Sequence, residues 1–177
     1  QTRPHQAIRG KKPSHKTMTH HFGVLVPANN TTIEAELSRL PPSYQAHYAR
    51  VHTAAFRQPF DTSKDEDVDY QSRLHATAKV EMVVLVQTTA SLVFDDYDAV
   101  NTRRIESAAG VPAITSGQAL GRALRALGAR RICLVSAYTE EVNSRARRYF
   151  GDKHAVEIAA LAGFSSEGAY LSGRVGP

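Results

Sequence analysis

Four short stretches carry the side chains that could do chemistry, and they are rich in amides and hydroxyls. Gln87-Thr88-Thr89-Ala90-Ser91 follows the apolar run Met82-Val83-Val84-Leu85-Val86. Pro27-Ala28-Asn29-Asn30-Thr31-Thr32 follows Phe22-Gly23-Val24-Leu25-Val26. Thr115-Ser116-Gly117-Gln118 follows Val111-Pro112-Ala113-Ile114, and Ser136-Ala137-Tyr138-Thr139-Glu140-Glu141 follows Arg131-Ile132-Cys133-Leu134-Val135. In an α/β fold, ligands bind where parallel strands end. Hydroxyls, amides and unpaired backbone N–H groups at such ends can hold a carboxylate or another anion. Each stretch also reads as an ordinary strand-to-helix junction, with Asn, Ser or Thr capping the helix that follows and Tyr138 as a surface residue. Gln87 is the most informative position. Its neutral amide is not an acid, a base or a nucleophile, so such a site binds without reacting or keeps its reactive group elsewhere.

Other reactive side chains are less well placed. Cys133 sits within an apolar strand and reads as a core thiol rather than a nucleophile. Asp95-Asp96 precedes a helix, where adjacent acids complement the helix dipole. The eight His residues show no metal-ligand spacing beside Cys or acidic residues, and no triad can be assigned. Thr115-Ser116-Gly117-Gln118 resembles a phosphate-binding turn but lacks the glycine pattern of a dinucleotide site.

The elements that must position these residues alternate. Strand patterns are expected at Phe22–Val26, Tyr44–Val51, Met82–Val86 and Val111–Ile114. Helices are expected after Thr32 as far as Pro41-Pro42, over Asp67–Val80, and over Tyr97–Ala109, closed by Gly110. Residues 53–66 read as a loop. The pattern then restarts. A helix capped by Ser116 runs to Leu127, a strand covers Arg131–Val135, a helix from Thr139 runs to Phe150 and ends at Gly151, and a strand covers Ala155–Leu161. This alternation predicts an α/β fold with parallel sheets covered by helices, arranged as two similar Rossmann-like, flavodoxin-like lobes. The expected division is a basic arm at 1–20, a first lobe at 21–115 and a partial second lobe at 116–177. A second unit with only two strands cannot easily bury both faces. Together with an initial Gln in place of Met, it predicts a fragment or an incomplete reading frame, completed by further chain or by a partner.

Composition sets the outer bounds. The chain has 177 residues, 42% apolar and 22% charged, ordinary for a globular protein able to bury a core. Its net charge of +5 is concentrated at one end. Residues 1–20 hold Arg3, Arg9, Lys11, Lys12 and Lys16 and no acid; the 17 basic residues that remain equal the 17 acidic ones. The head reads as a disordered arm, and the neutral remainder points away from nucleic acid as a partner. No run reaches transmembrane length, and residues 1–17 lack the apolar stretch of a secretory signal. One cysteine gives no disulfide framework, so a cytoplasmic location is expected.

Taken in order, the four turns resemble the Asp/Glu racemase superfamily, in its maleate cis-trans isomerase and arylmalonate decarboxylase branch. The resemblance runs from about Phe22 to Pro177. It is carried by Val24-Leu25-Val26-Pro27-Ala28-Asn29-Asn30-Thr31-Thr32-Ile33-Glu34, by Tyr97-Asp98 through Gly110-Val111-Pro112, by Ala123-Leu124-Arg125-Ala126-Leu127-Gly128-Ala129-Arg130-Arg131-Ile132, and by Tyr138-Thr139-Glu140-Glu141-Val142-Asn143. The resemblance implies two α/β lobes with a cleft between them, no metal or organic cofactor, and a small dicarboxylic acid as ligand. It also implies a pair of cysteines, one after the third strand of each lobe, working on opposite faces of the substrate. On this resemblance Asn30, Thr88, Thr89 and Tyr138 are substrate-binding residues. Gln87 stands where isomerases carry the first cysteine and decarboxylases a glycine. The second cysteine would lie beyond Pro177, and the second-lobe Asn expected near Gly168–Ala169 is not evident. The resemblance therefore predicts that this chain alone is inactive, while a longer parent could run a one-cysteine reaction. Two other readings stand beside it: a non-catalytic carboxylate-binding descendant, and a different doubly wound domain that binds a nucleotide or phosphate. Neither a membrane nor nucleic acid is an expected partner. The oligomeric state stays open, a homo-oligomer among the alternatives.

Overall fold

The computed structural model describes residues 18–52 and 66–163. The basic arm up to residue 17, most of the expected 53–66 loop and Gly168–Ala169 lie outside the described residues. Elements follow the order β1 (His20–Pro27), α1 (Ile33–Leu37), β2 (Tyr44–Val51), α2 (Glu66–Thr77), β3 (Met82–Leu85), α3 (Thr88–Val93), α4 (Tyr97–Ala109) and β4 (Ala113–Thr115). Then come α5 (Ser116–Ala126), β5 (Arg131–Ser136), α6 (Glu140–His154) and β6 (Glu157–Gly163). The expected α/β architecture is present. The first four strands form one parallel sheet in the order β2-β1-β3-β4, and β5 and β6 form a second parallel pair.

Strand β1 lies inside the first sheet, between β2 and β3, and a parallel strand covered on both faces is apolar. Val24, Leu25 and Val26 of β1 have no exposed surface. Leu25 joins Val51, Val83, Leu85, Tyr97 and Ile105 in one buried cluster. A second cluster gathers Val142, Ala146, Tyr149 and Phe150 of α6 with Val156 and Ile158, and it also takes in Leu92 of α3. Leu92 therefore carries the first half of the chain into the core of the second half.

Register places three of the four candidate turns along one edge of the first sheet, while the turn that holds Tyr138 follows β5 in the second. Leu25 pairs with Leu85, and Leu85 with Thr115. The chain therefore leaves β1, β3 and β4 at adjacent points, before Asn30, Gln87 and Ser116 respectively.

Several local expectations are corrected. The stretch Gln87–Ser91 is not an extended turn; α3 starts at Thr88, and Ala90, Ser91 and Leu92 are buried in it. Helix α1 stops at Leu37, before the prolines. The fourth strand is Ala113–Thr115, shifted toward the chain end, because Pro112 contributes its carbonyl to Val83 rather than a strand N–H. Thr115, not Ser116, caps α5: it accepts from Gln118 N, and the Gln118 side chain accepts from Thr115 N, a reciprocal capping box. Helix α6 continues past Gly151 to His154, whose buried ring packs beside Tyr149, and ends at Ala155 in the left-handed conformation. Cys133 is exposed rather than buried, because alternate residues of β5 face away from the cluster.

Candidate functional site

Position 87 is the hinge of the site. Gln87 ends the β3 segment as the residue before α3 and does not use its side chain as a cap. Its Oε1 instead accepts a hydrogen bond from the Tyr97 hydroxyl at 2.7 Å. Tyr97 opens α4 and is 5% exposed, with its ring in the first apolar cluster. The Gln87 amide nitrogen meets no acceptor among the described residues.

Thr88 is the first residue of α3, and its hydroxyl lies 2.7 Å from that of Ser116 at the start of α5. Since Thr115 performs the capping, the Ser116 hydroxyl is released to turn toward β3. Two hydroxyls that share one hydrogen bond still hold one proton for an outside acceptor. Thr89 is half-buried beside them.

Asn30 serves first as a local cap. Its Oδ1 accepts from the backbone N–H groups of Thr32 and Ile33, both at 3.0 Å. Arg50 from β2 donates to the Asn30 carbonyl at 2.8 Å and pairs with Glu34 at the same distance, tying this turn to the sheet. The capping role leaves the Asn30 amide nitrogen without an acceptor among the described residues.

Tyr138 lies in the turn between β5 and α6. Its N–H donates to Ser136 Oγ at 3.1 Å, its carbonyl accepts from Asn143 at 3.2 Å, and its ring packs on the second apolar cluster. Among the described residues no hydrogen bond joins Tyr138 or Asn30 to the 87–89 corner. The structure thus links Gln87 to Tyr97 and Thr88 to Ser116, while Asn30 adjoins through the neighbouring strand end.

Beneath this corner sits a polar cluster that the sequence reading did not single out as a unit. Asp98 is buried; its Oδ1 accepts from the Thr115 hydroxyl at 2.7 Å and its Oδ2 from the Tyr149 hydroxyl at 2.6 Å. Burial, followed by the hydrogen bond to Asp98, drives the Tyr149 phenol far above its ordinary pKa and keeps it a donor. Lys153 approaches Asp98 at 4.0 Å. The spacing Thr115-x-x-Gln118 was the available signal for the freed Ser116, since it is a capping-box pattern. No comparable local pattern marks Tyr97 or Tyr149. Among the described residues no group of three or more His, Cys, Asp or Glu side chains is arranged to hold a metal ion.

A parallel α/β sheet with amide and hydroxyl side chains at the carboxyl ends of its strands defines the class, a fold in which ligands bind at strand ends. The chain matches the arylmalonate decarboxylase family over residues 22–169, and it belongs to that family. It is 27% identical over 140 residues to the arylmalonate decarboxylase of Bordetella bronchiseptica, covering 78% of this chain and 58% of that protein. It is 23% identical over 151 residues to the maleate isomerase of Pseudomonas putida, covering 77% of this chain and 60% of the relative. The chain thus spans about three fifths of the length of these curated relatives. Its fold is similar to that of unliganded arylmalonate decarboxylase, with a TM-score of 0.71 at 24% identity over 89% of this chain and 66% of the other. It is similar, too, to a mutant of the Nocardia farcinica maleate cis-trans isomerase with a covalently bound succinylcysteine intermediate: TM-score 0.70, 19% identity, 89% and 69% coverage. Among the described residues no helix is long and apolar enough to cross a membrane.

Proposed function

We propose that this chain recognises a small dicarboxylic acid without a cofactor, in a cleft between its lobes, and that the chain by itself does not transform the ligand. The reading is carried by the 2.7 Å contact between Thr88 and Ser116 at the strand ends. A hydroxyl pair in that arrangement keeps one proton to give, and the amides of Gln87 and Asn30 give more. Neutral donors of this kind bind a carboxylate without needing a change of protonation. Thr89 and Tyr138 complete the proposed donor set.

The family supports the ligand class. An arylmalonate and maleate, the substrates in the names of the two curated relatives, are both small dicarboxylates. The succinylcysteine of the Nocardia isomerase shows what a reactive member of that fold contains, a sulfur bonded to a four-carbon diacid. In this chain position 87 holds an amide, and the one cysteine, Cys133, is exposed on a strand. An amide cannot replace a thiolate as nucleophile or carry a proton through a catalytic cycle at neutral pH. Loss of a nucleophile costs rate on the scale of a triad knockout, roughly 10⁶. That difference favours binding without turnover, whether the chain acts as a sensor or as part of a larger enzyme.

Proton NMR of malonate and maleate incubated with the purified chain tests both halves. Line broadening of the diacid with no new product resonances is expected. Product formation would refute the inactive state, and unaltered line widths would refute the ligand class.

A further inference from the structure

We propose that Tyr97 is a positioning residue that locks the Gln87 side chain as a one-way donor, so that the ligand atom received at position 87 is a carboxylate or carbonyl oxygen. This rests on the dicarboxylate reading above and adds to it a specificity-determining pair.

A glutamine amide is two-faced. Its oxygen accepts, its nitrogen donates, and a half-turn about the last bond exchanges them with almost no change of shape. A free Gln at the mouth of a site would serve a ligand donor as readily as a ligand acceptor. Here the choice is made from below. The Tyr97 hydroxyl donates to Oε1 at 2.7 Å. Tyr97 is nearly buried, and its ring packs in the cluster that includes Leu25, Leu85 and Ile105. The phenol cannot swing aside without opening that cluster. With Oε1 committed, the two N–H bonds of Gln87 are what the residue offers, and they meet no acceptor among the described residues. An ammonium or hydroxyl donor arriving there would find no lone pair. A carboxylate oxygen would find a preset donor whose ordering cost is already met by the fold. Charge-assisted hydrogen bonds are about twice as strong as neutral ones, so the preference falls on an anion.

A double-mutant cycle read by malonate titration calorimetry tests the assignment. Tyr97→Phe removes the hydroxyl and frees the amide to turn. Malonate affinity is expected to fall about tenfold, a change of about 1.4 kcal/mol. In a Gln87→Ala background the same substitution is expected to change affinity less than about twofold, because Tyr97 then has no amide to hold. An equal loss in both backgrounds, or no loss in the first, would reduce Tyr97 to a packing residue and overturn the proposal while leaving the dicarboxylate site intact. A wild-type chain that binds neither malonate, maleate nor aspartate would overturn the dicarboxylate reading itself, and this assignment with it. If Tyr97→Phe lacks a cooperative thermal transition, Gln87→Glu serves instead. A Glu side chain still accepts from Tyr97 but has no N–H to give and adds negative charge. More than a tenfold loss of malonate affinity with the fold retained is expected, and unchanged affinity would overturn the proposal.

Discussion

The hydroxyl of Tyr149 in α6 donates to Asp98 in α4 at 2.6 Å, and both residues are buried. This bond joins a helix of the second apolar cluster to one whose Tyr97, Ile105 and Ala109 belong to the first. It is not isolated. Arg148 pairs with Asp95, Lys153 donates to the Asp95 carbonyl at 2.5 Å, and Arg145 donates to the Val93 carbonyl at 3.4 Å. The same helix therefore braces the segment between α3 and α4, immediately after the corner that holds Gln87 and Thr88.

Tyr149→Phe removes one donor and leaves a buried Asp98 oxygen without it. An unsatisfied buried acceptor costs about 1–3 kcal/mol. A urea titration is expected to show a lower midpoint with an unchanged slope. An unchanged midpoint would show that the bond contributes nothing to holding the two clusters together.

Stability should fall in mild acid. Burial, with His47 nearby, holds His75 below the ordinary histidine pKa, against the opposing effect of a bond with the Val24 backbone. Burial, then Arg125 and Lys153, lower His154 against the pull of Asp98. In both cases the folded state takes up a proton less readily than the unfolded chain, whose histidines titrate near about 6.5. Below about that pH the unfolded state binds more protons, so stability is complete above it and is lost progressively as pH falls. The urea midpoint should be lower at pH 5.5 than at pH 7.5, and His75→Gln should flatten the difference. A midpoint that rises on acidification would contradict both shifts.

Two glycine substitutions should separate packing from backbone conformation. A Cβ at Gly117 would lie 2.6 Å from the Tyr149 hydroxyl and 2.9 Å from the Ser91 Cβ. Gly117→Ala should cost about 1–3 kcal/mol by overpacking and weaken malonate binding, because Ser116 is its neighbour. Gly110 has open space around it but a φ of +69°. Gly110→Ala should cost about 1–2 kcal/mol through left-handed strain alone and leave binding unchanged. Thermal melts and calorimetry on the two variants check the contrast; equal effects on binding would remove Gly117 from the neighbourhood of the site.

Thr88 and Ser116 should act as one unit. Thr88→Val keeps the shape and deletes the hydroxyl, and malonate affinity is expected to fall about tenfold, near the net worth of one hydrogen bond to a charged group. Ser116→Ala should cost less and should cost nothing further when combined with Thr88→Val. Calorimetry on the three variants measures the coupling. A larger loss for Ser116→Ala than for Thr88→Val would make Ser116 the direct contact.

Much of the fold was legible because local rules agreed with tertiary needs. Tyr44–Val51 forms the expected strand, its burial alternating from Tyr48 to Val51, and Tyr97–Ala109 ends where Gly110 supplies the left-handed residue. The misreadings have specific causes. Thr88-Thr89 looked like turn residues, yet Ala90, Ser91 and Leu92 gain burial by continuing as helix. Gly151 looked like a helix end, but burial of Phe150 and His154 keeps α6 wound past it. Cys133 looked buried because its neighbours Ile132, Leu134 and Val135 are apolar, whereas the second apolar cluster packs on the face of β5 that carries Ile132 and Leu134 and leaves Cys133 on the other. The site was legible as residue types at strand ends. Its internal wiring was not. Ser116 lies 28 residues from Thr88, and Tyr97 lies 10 residues from Gln87 across a helix that the sequence hid.

The corner at the ends of β1, β3 and β4 is proposed to accept a small diacid. Titrating malonate, maleate and aspartate into the purified, cooperatively folded chain by calorimetry tests it most directly. Saturable heat from at least one of them is predicted, with a dissociation constant of about 1 mM or tighter, corresponding to about 4 kcal/mol, and Thr88→Val should weaken it. Heats of dilution alone from all three would contradict the account.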